Sequence, residues 1–413
     1  MLAVQPADGQ RLTERHVLAL GLGISAAFVA AAAAAAIVAA VNGGSLWATI
    51  HLALAGAATV AIGAFMPHFA VTLAGTRPAA PVERLAALGL LAVGAGGAVV
   101  GVTIIGGPMA AAGSLVVVAG LLLVSWHTFA PLRDPLARRH HVVALAYGVA
   151  LLELAAGVVL GGLAALGVPA VISAWATLRP AHAWLSLFGA VSLTIFGTLV
   201  YLAPTVLGAR IRAGAALIAG TVGVLIGPPL TAVGFVLDAS PLVIAGMAAT
   251  LGGAVGQVAY VVDAYRRRGP YTSEHDWRRV AVGHLTAGTL WFAAAVAAAL
   301  VELVAGKALP GWSLGPLAVP LVAGWMLQEL VGSWTHLAPS VTPGTAASHA
   351  AQRRILAVAS RSRLAAWNAG VALAWLGLWL DAAIPAAVGL ALLAAAVLGS
   401  VVLIVRALTR TRY

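Results

Sequence analysis

Histidine is the residue through which this sequence could do chemistry. The chain has 413 residues, of which 11 are histidine and only 8% are charged. Neutral imidazole is a common protein ligand for haem iron, copper and zinc. Within a long apolar segment a charged imidazole is costly and a neutral one needs a hydrogen-bond partner, so each such histidine suggests a functional site. Chemistry at cysteine is excluded, because the sequence has none.

One pair of histidines begins two apolar segments at a similar depth. His51 starts the second segment of the chain and His182 starts the sixth. One imidazole from each of two helices could hold a haem iron axially or give copper two ligands. The alternative is that each ring caps its helix at the level of the lipid headgroups, beside Trp47 or Trp184. The sequence leaves both interpretations open.

A second group of four histidines lies toward the opposite ends of the segments. These are His68, His127, His284 and His336. Four imidazoles that converge there could bind a metal ion or a second haem. The alternative, which we favour for this group, is an interfacial position, because amphipathic side chains are enriched there. His51 and His68 are 17 residues apart, about 25 Å along a helix, so they cannot share one metal.

Two acidic residues lie well inside apolar segments. Glu153 is near the middle of the fifth segment, and Glu329 follows Gln328 in the tenth. A buried carboxyl group must be neutral or paired, and both residues are candidates for a proton path between the two faces. A hydrogen bond between helices explains them equally well.

The seventh segment suggests a different class of protein. It carries Gly227-Pro228-Pro229 near its middle, where we expect the hydrogen-bond ladder of a helix to break. Transporters build substrate sites at such breaks. A twelve-helix transporter that uses this break and the two buried carboxyl groups is one alternative function. An assembly subunit without chemistry of its own is another.

The elements that position these residues must be membrane helices. Apolar residues make up 62% of the chain, too many for a soluble enzyme or a disordered protein. A segment that crosses lipid satisfies its own backbone only as a helix, and it needs about 20 residues. The first segment is too long for a signal-peptide core, so we expect it to be retained. Twelve segments are expected, at 16–42, 46–74, 82–106, 108–130, 140–165, 178–204, 211–236, 241–264, 280–304, 315–338, 363–381 and 383–406.

The basic residues orient these segments. In the loops between them, 21 basic residues fall on the side of the N-terminus, and only Arg179 and Lys307 fall on the other. The positive-inside rule then predicts a multi-pass protein of the cell membrane with both termini in the cytoplasm. This topology and attraction to anionic lipid headgroups explain the net charge of +11, so no nucleic-acid partner is expected.

A four-helix period runs through the chain. Pro67, Pro204 and Pro339 end the second, sixth and tenth segments, at spacings of 137 and 135 residues. Histidines recur with a similar period, since His51 and His182 are 131 residues apart. We therefore expect one integral membrane domain over 1–413, built from units at approximately 10–138, 139–268 and 275–408.

Two stretches carry a resemblance to a known family. They are HLALAGAATVAIGAFMPHFAVTLAG, from His51, and HAWLSLFGAVSLTIFGTLVYLAPTVLG, from His182. With twelve helices, cytoplasmic termini and the four-helix period, the chain resembles subunit I of the haem–copper oxidases. It looks closer to the membrane domain of actinobacterial proteins labelled multicopper oxidases, and more distantly like the NnrS family. The resemblance implies an all-α bundle with pseudo-threefold symmetry, a haem ligand at His51 and a copper ligand at His182.

The sequence also departs from this family. The seventh segment lacks the family's copper-binding histidine pair, and His336, the only histidine of the tenth, lies at the face opposite to the family's haem ligands. Trp184 stands where the closer relative often has a second histidine. A complete oxygen-reducing centre is therefore not expected. The resemblance implies a protein that binds haem b or copper and acts in electron transfer, in nitrogen-oxide or copper handling, or as partner of a separate oxidase.

Overall fold

The described structure is entirely helical. The computed structural model describes residues 12–42, 44–133, 141–212, 214–269, 276–305, 312, 314–342 and 344–409. Every regular element in these ranges is a helix, which agrees with the predicted all-α fold. His140, His275 and Lys307, all placed in loops by the sequence, lie outside the described residues.

Twelve long helices follow one another along the chain. They are α1 (Glu14–Asn42), α2 (Trp47–Ala74), α3 (Pro81–Ile105), α4 (Gly107–Leu132), α5 (His141–Ala165), α6 (Trp175–Leu207), α7 (Ala215–Val236), α8 (Ser240–Arg266), α9 (Asp276–Val304), α10 (319–341), α11 (Ser360–Trp379) and α12 (Ala383–Thr409). Two shorter helices, Pro169–Ser173 and Ala346–Ala357, lie in the connections. Within the described ranges, ten helices are long and apolar enough to cross a membrane, namely α1 to α9 and α12. The protein is therefore a helical membrane protein, with ten such helices where the sequence predicts twelve.

Helices α2, α6 and α10 form the inside of the bundle. The most apolar window of α2 and that of α6 are each 67% buried, against 33 to 44% in the other membrane-length helices. Every residue in the first part of α10, Val319–Met326, is buried. The remaining helices surround these three and present most of the exposed apolar side chains, as a lipid-facing surface requires.

Each inner helix contains a π-helical stretch. These stretches are Leu52–Ala58, Trp184–Val191 and Val319–Met326, and they begin 132 and 135 residues apart. A fourth stretch, Gly101–Ile105, ends α3. Insertions of this kind in helices are frequent at functional sites.

The inner helices also enclose a cavity of about 80 Å³. Each contributes six lining residues, which form six layers of three, one residue from each helix. In every layer the α6 residue is 133 positions after the α2 residue, and the α10 residue is a further 135 positions along the chain. Ala61, Thr194 and Glu329 form one such layer. In this register Pro67 lies one turn earlier than Pro204 and Pro339, so the prolines gave only an approximate period. The division of the whole chain into three units stays a prediction.

The expected loss of ladder hydrogen bonds at Pro228 and Pro229 holds, because neither proline has an N–H to donate, but this loss does not divide the helix. Helix α7 runs without interruption through both residues, so the broken helix of the transporter alternative is not seen. It packs closely on α8, where a Cβ added at Gly246 would lie 2.5 Å from the backbone nitrogen of Thr231. Thr231 in turn donates a hydrogen bond from Oγ1 to the Gly227 carbonyl, at 2.9 Å. Contacts of this kind from a neighbouring helix and from threonine let membrane helices accommodate proline.

Candidate functional site

His51 and His182, the histidine pair, lie opposite each other on α2 and α6. Their ring centroids are 6.3 Å apart, and the ring planes differ by 10°. The neighbouring ring of Trp47 stacks on His51 much more closely, with centroids 4.0 Å apart. The two imidazoles therefore have nearly parallel planes but are not in close stacking contact.

A backbone carbonyl orients each ring of the pair. Nδ1 of His51 lies 2.8 Å from the oxygen of Trp47, and Nδ1 of His182 lies 2.9 Å from the oxygen of Gly157. Because a carbonyl oxygen can only accept, Nδ1 is the protonated nitrogen in both rings. Nε2 of each ring therefore keeps its lone pair. Metal-binding histidines are commonly held in this way, by a hydrogen bond from the nitrogen that does not bind the metal.

The local sequence explains how the pair is placed. His51 ends the short α-helical start of α2, directly before its π-helical stretch, and His182 lies two residues before that of α6. Helix α5 leaves space for the second ring through its glycines. A Cβ added at Gly161 would lie only 3.3 Å from Cε1 of His182.

The two free donor atoms, Nε2 of His51 and Nε2 of His182, suit a metal that takes two imidazole ligands. The 6.3 Å between the ring centroids leaves room for one metal–nitrogen bond of about 2.0 Å from each ring. Neutral imidazole suits both haem iron and copper. Elsewhere in the described part of the chain, no three histidine, aspartate or glutamate side chains come together as a metal-binding group.

Comparison with known proteins adds no assignment. No protein-family model and no curated protein matches this sequence. A fold alone does not determine a function, so the side chains of the site are the basis for assigning one.

The inner histidines of the first four helices lie beside glutamates. Nδ1 of His68 is 3.5 Å from Oε1 of Glu14, and Nε2 of His127 is 3.7 Å from Oε2 of Glu83. Arg84, which the sequence places in a loop, is only 1% exposed and donates to Glu14 at 2.8 Å. Sequence reasoning missed this partly buried ion pair, although an acidic residue in the first turn of α1 was a signal for it.

The other two inner histidines have different partners. His284 is fully buried, and its Nδ1 donates a hydrogen bond to Oε1 of Gln328 at 2.9 Å. The direction follows because the amide nitrogen of Gln328 donates to the oxygens of Gly324 and Asn368, which leaves Oε1 as the acceptor. The ring of His336 lies nearly parallel to that of Trp277, with centroids 6.2 Å apart. Among the described residues, the four inner histidines are not part of any metal-binding group of three or more side chains.

Glu153 lies close to the histidine pair. Its carboxyl group is buried against Gly189 of α6, and neither oxygen has a hydrogen-bond partner among the described residues. One turn along α5 is Gly157, whose carbonyl holds the ring of His182. Ser186 of α6 also lies against Gly157.

Glu329 lies apart from Glu153, on the inner helix α10. It is 2% exposed and lines the cavity, and its Oε1 accepts a hydrogen bond from Oγ1 of Thr289 at 3.1 Å. Its Oε2 has no partner in the described ranges. The two glutamates predicted to form a proton path are therefore both buried, but no hydrogen bond joins them.

Proposed function

We propose that this chain is a membrane redox protein in which His51 and His182 hold haem b or copper. The observation that carries the proposal is the pair of imidazoles 6.3 Å apart, each with Nδ1 bonded to a carbonyl and Nε2 available. Haem b or copper, when bound, supplies one-electron chemistry. The residues of the chain orient the two ligands and surround them with apolar and aromatic side chains.

The proposal extends to the architecture and the setting. Helices α10 and α11 also cross the membrane, giving twelve spans, and both termini lie in the cytoplasm of a cell-membrane protein. The recurring π-helical stretches and the layered cavity support an arrangement like that of haem–copper oxidase subunit I. Without the remaining ligands of an oxygen-reducing centre, the role is electron transfer or nitrogen-oxide or copper handling, with a separate redox partner.

Spectra and metal analysis of the purified full-length chain test this proposal. We expect a Soret band and reduced haem bands, or about one copper per chain. His51→Ala and His182→Ala should each abolish or strongly diminish the signal, because one imidazole cannot replace two. His349→Ala is the matched control, since His349 lies outside the pair and contacts the carbonyl of Thr342.

Two outcomes would contradict the proposal. One is a chain that contains neither haem nor copper in stoichiometric amount. The other is a cofactor whose spectrum and occupancy are the same in wild type and in both histidine variants, which would place it elsewhere.

A further inference from the structure

The cavity between α2, α6 and α10 has a mostly apolar wall with one acidic residue. Phe65, Phe69 and Trp334 supply aromatic surface. Glu329 is the only charged lining residue, and its counterparts in the same layer are Ala61 and Thr194. The three inner helices thus present equivalent positions to the cavity, but only one of the three carries a carboxyl group.

Glu329 lacks a basic partner. None of the ion pairs among the described residues includes it, and its Oε2 has no hydrogen-bond donor. An ionised carboxyl group in apolar surroundings is costly unless a cation compensates it. The hydroxyls of Thr194 and Ser333 are further acceptors on the same wall.

We propose that this cavity binds a small organic ammonium ion. Glu329 is the counter-ion, the hydroxyls accept the remaining N–H groups, and the aromatic rings attract the positive charge through their faces. An apolar body suits the rest of the wall. A metal ion fits less well, because no other histidine, aspartate or glutamate joins Glu329 in a metal-binding group within the described ranges. The inference does not depend on the redox proposal, since no residue of the histidine pair lines the cavity.

Equilibrium dialysis with the full chain in lipid nanodiscs tests this inference. The probes are radiolabelled ethylammonium, which is small enough for a cavity of about 80 Å³, and its neutral counterpart ethanol, with binding to empty nanodiscs subtracted. We expect saturable binding of ethylammonium that Glu329→Gln weakens by about tenfold or more. Binding of ethanol should be weaker in wild type and should not respond to Glu329→Gln.

Two further variants control for indirect effects. Glu153→Gln is the matched control, because it also neutralises a buried carboxyl group but does not line the cavity; it should leave ethylammonium binding unchanged. Ser333→Leu fills part of the cavity and should weaken ethylammonium binding. The inference is overturned if ethylammonium does not bind saturably, if Glu329→Gln binds it as wild type does, or if Glu153→Gln weakens it equally.

Discussion

The ring of His182 is held by a carbonyl of α5 rather than of its own helix, so its orientation depends on a neighbour. Gly161→Ala should weaken cofactor binding by about tenfold, because the new Cβ would lie 3.3 Å from Cε1 and displace the ring. Titration of the purified apoprotein with haem or copper measures the affinity. Gly148→Ala, also on α5, makes an ordinary 3.5 Å contact with Phe129 and should not change it. Equal affinities in the two variants would contradict this account of the ring.

Arg84 joins the first three helices, since it donates to Glu14 on α1 and to the carbonyl of Ala64 on α2. Arg84→Met should lower the free energy of unfolding by about 1–3 kcal/mol, because it removes the arginine partner of Glu14, whose carboxylate is only partly buried. Thermal unfolding in detergent provides the measurement. Adding Glu14→Gln should recover part of the loss. Arg354→Met removes an exposed arginine and should have little effect; a loss as large as that of Arg84→Met would refute the ion-pair explanation.

Packing between helices is best tested on α7 and α8. A Cβ added at Gly253 would lie 2.7 Å from the backbone nitrogen of Val224, whereas one at Gly252 meets nothing within 4 Å. Gly253→Ala should therefore destabilise the protein by about 1–3 kcal/mol through overpacking. Gly252→Ala should be neutral, or stabilising by up to about 1 kcal/mol, because alanine favours helix. Reversible unfolding in mixed micelles compares the two, and similar stabilities would argue against close contact of these backbones.

The sequence predicted where most helices begin and end, but not where a helix becomes π-helical or continues through proline. Hydrophobicity alone locates a membrane segment, which is why the expected 46–74 coincides with α2. The π-helical stretches have no such signal, because they depend on packing against neighbours. The continuity of α7 at Pro228 was missed for the same reason: proline removes a donor locally, but the helix continues and packs closely on α8 through its glycines.

Similar limits apply to the candidate site. Spacing and depth were enough to select His51 and His182, since both begin apolar segments. Hydropathy does not determine how each helix is rotated about its axis. It could therefore not reveal that Gly157 would hold one ring, that Arg84 would be buried, or that His284 would pair with Gln328.

For the whole molecule, the orientation in the membrane can be tested directly because the chain has no cysteine. Ser173→Cys and Ser362→Cys each introduce one exposed thiol, on sides that the charge distribution assigns as outer and inner. A membrane-impermeant maleimide should label the first in intact cells and the second only in inverted vesicles. The reverse pattern would show that the orientation is opposite to the predicted one. Labelling of both thiols from the same side would contradict the predicted odd number of membrane crossings between residues 173 and 362.

The layered cavity has a consequence for protein engineering. Because Ala61, Thr194 and Glu329 occupy corresponding positions on three helices, the carboxyl group could be moved to either of the other two helices. A Thr194→Glu, Glu329→Thr exchange would move it from α10 to α6 while conserving composition. If the protein still folds, the three inner helices form a scaffold in which the position of the acidic group can be chosen by design.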